Sequence, residues 1–214
     1  MAIRTVSALA PYLAPSDVID TQHPEVASLA RELGRSCASD EAIAQRCFEF
    51  VRDSIKHSWD LHREGPGGIG LPVTCRASEV LLHRTGFCYS KSHLLAALLR
   101  VNGLPAGLCY QRLTVGTQGP PFCLHGLNAV YLERYGWYRL DARGNKPGVA
   151  AAFTPPFERL AFPVVEPDER DFDEIWPEPL PVVLTALRRF ETVEALHEHL
   201  PDIEVAPRPP SLCP

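Results

Sequence analysis

Apolar positions along the chain change period twice, dividing it into helical, extended and again helical blocks. Residues 4–18 read as an extended, proline-interrupted arm. Asp20-Thr21-Gln22-His23-Pro24 then places capping residues ahead of a proline at an early helical position, predicting a helix to Leu33 closed by Gly34. Ser39 or Asp40 caps a second helix, whose apolar stripe is Ile43, Cys47, Phe48, Val51 and Ile55, with Asp40 and Glu41 near its positive end. Residues 57–74 carry Trp59, His62, Pro72 and the run Gly65-Pro66-Gly67-Gly68-Ile69-Gly70, a composition that predicts a surface loop. That run lacks the Lys-Ser/Thr ending and the preceding strand of a phosphate-binding loop. Ala77 to His83 reads as a short helix. From Thr85 to Pro105 a turn leads into a buried helix: Leu94, Leu95, Leu98, Leu99 and Val101 recur at helical spacing, and Asn102-Gly103 and Pro105 end it.

The period then shortens to two. Residues 106–115 and 123–132 read as strands joined by a Gly/Pro-rich loop, and Tyr135-Gly136 turns the chain into a third strand, Trp137 to Asp141. This predicts an α+β protein with helices packed on an antiparallel β-meander. Beyond Asp141 a proline-rich stretch to Pro181 wraps the core, with Asp168, Glu169, Asp171, Asp173 and Glu174 as a solvated face. Residues 182–199 resume helical periodicity in one or two short helices, and 206–214 form a frayed tail. No internal repeat is visible. The whole, 1–214, reads as a single domain: a core at about 40–145, an N-terminal arm and helix at 1–39, and a C-terminal extension at 146–214.

Composition narrows the function. With 45% apolar and 22% charged residues the chain resembles an ordinary globular protein; a net charge of −5 and scattered Lys and Arg give no footprint for nucleic acid. No apolar run approaches membrane-spanning length and the start has no signal-peptide core, so no membrane partner is expected. Seven cysteines, at 37, 47, 75, 88, 109, 123 and 213, form an odd set with no C-x-x-C pair, which fits reduced thiols and a cytoplasmic location. Cys47 and Cys109 fall on core positions.

Cys88 is different. It opens the buried helix, where free backbone N–H groups and the positive end of the helix dipole favour a thiolate, and Gly86 permits the sharp entry. A small buried cysteine beside a core helix is the competing reading. A cysteine nucleophile needs a base, and the base needs a group to hold it; His125 and Asp141 supply candidates. If the hairpin loop is Glu133 to Tyr135, Leu132 pairs with Gly136, and Asp141 falls opposite Leu127, one diagonal step from His125 on the same face. An even-numbered loop would separate them. Cys123-Leu124-His125 with Cys75 or Cys88 lacks the paired ligand spacing of a zinc site, so no metal is expected.

The order of these residues resembles the transglutaminase-like superfamily over residues 40–145: a cysteine opening a Leu/Ala-rich helix that ends Asn102-Gly103-Leu104-Pro105, a histidine on the second strand after it, and an aspartate after Gly136-Trp137-Tyr138-Arg139-Leu140. Asp20 to Pro24 is similar to the lead-in of bacterial members. The resemblance implies a papain-like α+β fold with Cys88 as nucleophile, His125 as base and Asp141 as orienter. It implies a thioester formed on an amide or peptide bond, with hydrolysis favoured and amine acyl transfer, or a non-catalytic binding module on the same fold, as alternatives. The substrate would be a peptide, a protein or a small amide. No cofactor is implied, because thiol, imidazole and carboxylate suffice. By analogy with related enzymes Trp59 is a candidate oxyanion donor, against a packing role, and Asn128 a candidate cleft residue. The sequence departs from the frequent His-Ala-Trp of the family with His125-Gly126-Leu127. Arylamine acetyltransferases share the Cys, His, Asp order, but Phe87-Cys88 lacks their Arg-Gly-Gly run.

Overall fold

Local signals set most of the element boundaries in this computed structural model, which describes residues 3–65, 70–116 and 118–207. Residues 66–69 of the glycine-rich run, Thr117 of the strand-connecting loop, and the tail from 208, with Cys213, lie outside the described residues. A short strand β1 (Arg4–Thr5) precedes α1 (Pro24–Gly34), which has proline in its first turn, and α2 (Asp40–Ser54). The Ser39 hydroxyl accepts the Ala42 N–H at 3.2 Å, so Ser39 is the cap of α2. The arm before α1 is not extended throughout, since residues Ala10–Tyr12 form a 3₁₀ turn. Next come β2 (Lys56–His57) and α3 (Ser58–Arg63), followed by α4 (Ala77–His83), β3 (Thr85–Gly86) and α5 (Cys88–Val101). The helix α3 corrects the expected loop over 57–74: Trp59, Asp60 and His62 lie on a regular turn. The Glu79 carboxylate accepts the N–H groups of Cys75 and Arg76 at 2.8 and 3.1 Å, which fixes the start of α4.

Helix α5 is buried along its length from Cys88 to Arg100, packed by α1, α2 and α4 on some sides and by the sheet on another. A helix surrounded in this way must satisfy its polar side chains internally. The Ser92 hydroxyl donates to the Cys88 carbonyl at 2.8 Å, and Lys91 donates to the Ile55 carbonyl. Arg100 donates to the carbonyls of Ala106 (2.9 Å), Ala14 (2.6 Å) and Pro177 (2.5 Å), tying the arm and the extension to the hairpin.

The sheet has strand order β6-β5-β4-β7, with β4 (Ala106–Thr114), β5 (Phe122–Leu132), β6 (Gly136–Leu140) and β7 (Arg170–Asp171) all antiparallel. The three long strands form the expected meander, and Leu132 pairs with Gly136 across a three-residue loop. A second cluster of Tyr12, Cys109, Leu127, Ala129 and Ile175 forms apart from the main core. Strand β8 (Glu174–Ile175) pairs in parallel with β1, and the chain ends its regular structure with α6 (Pro181–Arg189) and α7 (Val193–Glu198). Three of the five acids of the extension, Glu169, Asp171 and Glu174, are engaged within the fold, while Asp168 is exposed as expected. Asp171 accepts from Gln111 and Arg139, Glu174 is buried and accepts from Arg4, and Glu169 caps the backbone at Thr114, Val165 and Glu166. Among the described residues no helix is long and apolar enough to cross a membrane.

Candidate active site

Cys88 is the first residue of α5, so its own N–H has no acceptor within the helix. Phe87 is in extended conformation at the N-cap, and Gly86 makes the close entry possible: a Cβ there would lie 2.6 Å from the Ser90 hydroxyl oxygen. The thiol reaches β5 itself, where Sγ accepts the Gly126 N–H at 3.4 Å. Gly126 allows that approach, because a Cβ would sit 3.1 Å from the Tyr89 Cα.

His125, the next residue, is buried, and its Nε2 lies 2.7 Å from Oδ2 of Asp141. That leaves Nδ1 as the ring nitrogen that Asp141 does not engage, and the Cys88 thiol, which meets the N–H of the adjacent Gly126, is among the groups that act on the imidazole. The odd-length hairpin loop puts Asp141, one residue beyond β6, on the same side as His125. Burial disfavours the imidazolium, but the Asp141 carboxylate and Cys88 outweigh it and raise the His125 pKa to about 10. Burial likewise opposes ionisation of Asp141. His125 and the N–H groups of Ala161 and Arg143, at 3.0 and 3.1 Å, overcome this and keep its pKa below the usual carboxylate range.

Cys88 and His125 line a cleft of about 420 Å³ whose walls come from α3, the α5 entry, the β4–β5 hairpin and the extension, with Asp141 buried behind the imidazole. Trp59 lines it, its ring stacked on His197 with centroids 3.4 Å apart and on His62 at 5.1 Å. Asn128 does not line it. Strand alternation turns Asn128 toward α5, where its amide donates to the carbonyls of Ser92 (2.9 Å) and Gly107 (3.2 Å). The expected cleft role for Asn128 is therefore corrected to holding α5 against the sheet.

Sequence reading missed several neighbours. His57 lines the cleft, and burial followed by the nearby Arg143 pushes its pKa well below the histidine range. Arg143 also lines the cleft and is ion-paired to Asp60, with Oδ1 3.0 Å from its Nη2. Phe162 meets His125 edge-on at 5.0 Å, and Pro163, Val165 and Leu200 add apolar wall. The Arg143-Gly144-Asn145 turn directly after Asp141 was the one usable signal. No group of three or more metal-ligating side chains occurs among the described residues.

Comparison with known proteins adds a family. The family described as the transglutaminase-like superfamily matches residues 27–142, more than half of the chain. No curated protein matches. Among solved structures, an inferred cysteine protease from Cytophaga hutchinsonii aligns with 18% identity over 63% of this chain and 42% of that one, with a TM-score of 0.47. The periplasmic domain of TgpA from Pseudomonas aeruginosa aligns with 18% identity over 61% of this chain and 45% of its own, with a TM-score of 0.43. In both cases this chain spans less than half the length of the other.

Proposed function

We propose that this chain, which belongs to the transglutaminase-like superfamily, is a thiol enzyme that cleaves an amide or peptide bond through an acyl-enzyme on Cys88. One observation carries the reading: the thiol at the start of α5 reaches the strand at Gly126, directly beside His125, whose imidazole is held by the buried Asp141 carboxylate. Asp141 fixes the ring and stabilises the imidazolium that forms when His125 takes the Cys88 proton, which makes the thiolate the attacking group.

The thiolate forms a C–S bond to the carbonyl carbon, and the oxygen takes the negative charge beside the unpaired N–H of Cys88. The C–N bond then breaks as His125 gives its proton to the departing amine. Water from the open cleft attacks the thioester, returning a proton to His125 and releasing the carboxylic acid and the thiolate. A peptide, protein or small amide with an apolar group next to the carbonyl fits walls made by Phe87, Leu113, Leu124 and Phe162.

The test is intact-protein and peptide mass spectrometry after mixing with acetyl-glutamine amide and with short peptide amides. The expected result is an acyl adduct on the Cys88 peptide, absent in Cys88→Ala, that decays to free acid. Decay that yields only an amide, when a primary amine competes, would assign acyl transfer instead of hydrolysis. A Cys88 that never acylates, and alkylates no faster than the other thiols, would overturn the reading.

A further inference from the structure

The cleft holds a second histidine that the thiol–imidazole–carboxylate chemistry does not use. His57 is on β2, paired in parallel with Gly86 two residues before Cys88. One contact packs its ring, and two more hold the residues on either side of it. Phe87 meets the ring edge-on at 5.5 Å, the following Ser58 hydroxyl lies 3.1 Å from that of Thr85, and Lys91 holds the carbonyl of Ile55 just upstream. Its Nδ1 is buried and has no hydrogen-bond partner among the described residues, while the ring itself lines the cleft.

Those facts constrain the proton. The ring is neutral, because burial and the adjacent Arg143 oppose its charging. A neutral imidazole carries one N–H, and a buried N–H without an acceptor is the rarer defect in folded proteins. The proton therefore belongs on Nε2, the ring nitrogen other than the buried Nδ1. A fixed, neutral donor at the wall of a cleft beside a thiol is what a tetrahedral oxyanion requires.

We propose that His57 is the second oxyanion donor of the site, giving its Nε2–H to the substrate carbonyl oxygen alongside the Cys88 backbone N–H. This rests on Cys88 being the acylated nucleophile. His57 takes no proton in the reaction; it stabilises the charge that forms as the C–S bond is made and lost as the C–N bond breaks.

The experiment compares two reactions of Cys88 in the wild type, His57→Phe and His57→Gln. Acylation by p-nitrophenyl acetate, read as a p-nitrophenolate burst, builds an oxyanion; alkylation by iodoacetamide does not. The expected result for His57→Phe is a burst rate constant about 10²–10³-fold lower with alkylation unchanged. His57→Gln, which keeps an N–H, should recover part of the loss. A wild-type burst rate in His57→Phe overturns the proposal and leaves Cys88 as nucleophile. Equal falls in acylation and alkylation overturn it too, because His57 would then act through the thiolate. No burst in the wild type overturns both readings. Should the variants fail to fold, nitrogen NMR of ¹⁵N-histidine wild type decides: an Nε2–H tautomer at His57 is expected, and an Nδ1–H tautomer overturns the proposal.

Discussion

His125 holds its charge because two opposing effects meet on one ring. Burial alone would neutralise it, yet Asp141 and Cys88 raise its pKa from 6.5 to about 10. A histidine whose folded pKa exceeds its unfolded value adds stability that is complete below about pH 6.5, shrinks as the pH rises, and is gone above about 10. Asp141→Asn removes the partner that raises it. The variant should show a flatter decline in melting temperature across that window, measured by thermal unfolding, and acylation slowed by at least about 10²-fold. That Cys88, His125 and Asp141 come together was legible because each had a type, an order and a parity that the chain displays locally. His57 had none of these: its meaning comes from lying beside Gly86, a neighbour in space through β2–β3 pairing. Asn128 was named as a cleft residue, but it lies three residues from His125, and strand alternation turns it to α5.

Between α5 and β5 the spacing is set by the absence of a side chain. A Cβ at Gly126 would lie 3.0 Å from Tyr89 Cδ1 and 3.1 Å from Tyr89 Cα, and the second of these is backbone that cannot rotate away. Gly126→Ala should push the start of α5 off the strand and lengthen the contact between the Cys88 sulfur and the residue-126 N–H. The expected cost is about 1–3 kcal/mol, measured as a shift in urea midpoint at constant m-value, with slower Cys88 alkylation in fully folded protein. Elements with strong local signals, α4 and α5 among them, matched their sequence expectation in both position and type. Helix α3 did not, because its six residues are held by partners far along the chain: Asp60 by Arg143 and Lys146, and Trp59 by His197. Propensity within residues 57–74 carries no trace of those contacts.

The family match stops at residue 142, but the site does not. Ala161 donates to Asp141, Phe162 packs on His125, and His197 clamps Trp59, so the extension completes three separate parts of the cleft. Its attachment runs through buried arginines. Arg139 binds Glu158 at 2.7 Å and Asp171 at 2.8 Å, and Arg112 binds Asp202 at 2.7 Å. Arg139→Met leaves two half-buried carboxylates facing each other without their cation, and should cost about 2–4 kcal/mol. Hydrogen exchange checks where the loss falls: the amides of Ala161 and Phe162 should exchange faster than those of α5. These attachments were illegible from the sequence, since the acids 168–174 form a charge run that resembles a solvated face until Arg139, Gln111 and Arg4 are brought to meet it.

That attachment has a consequence in the order of synthesis. A growing chain exposes Cys88, His125 and Asp141 while the segment bearing Ala161, Phe162 and His197 is still unmade, so the imidazole lacks its aromatic wall and the aspartate one of its N–H donors. The cleft is complete only when residues near 200 have emerged and folded back, so a half-made polypeptide carries Cys88 without the surroundings it has in the finished fold.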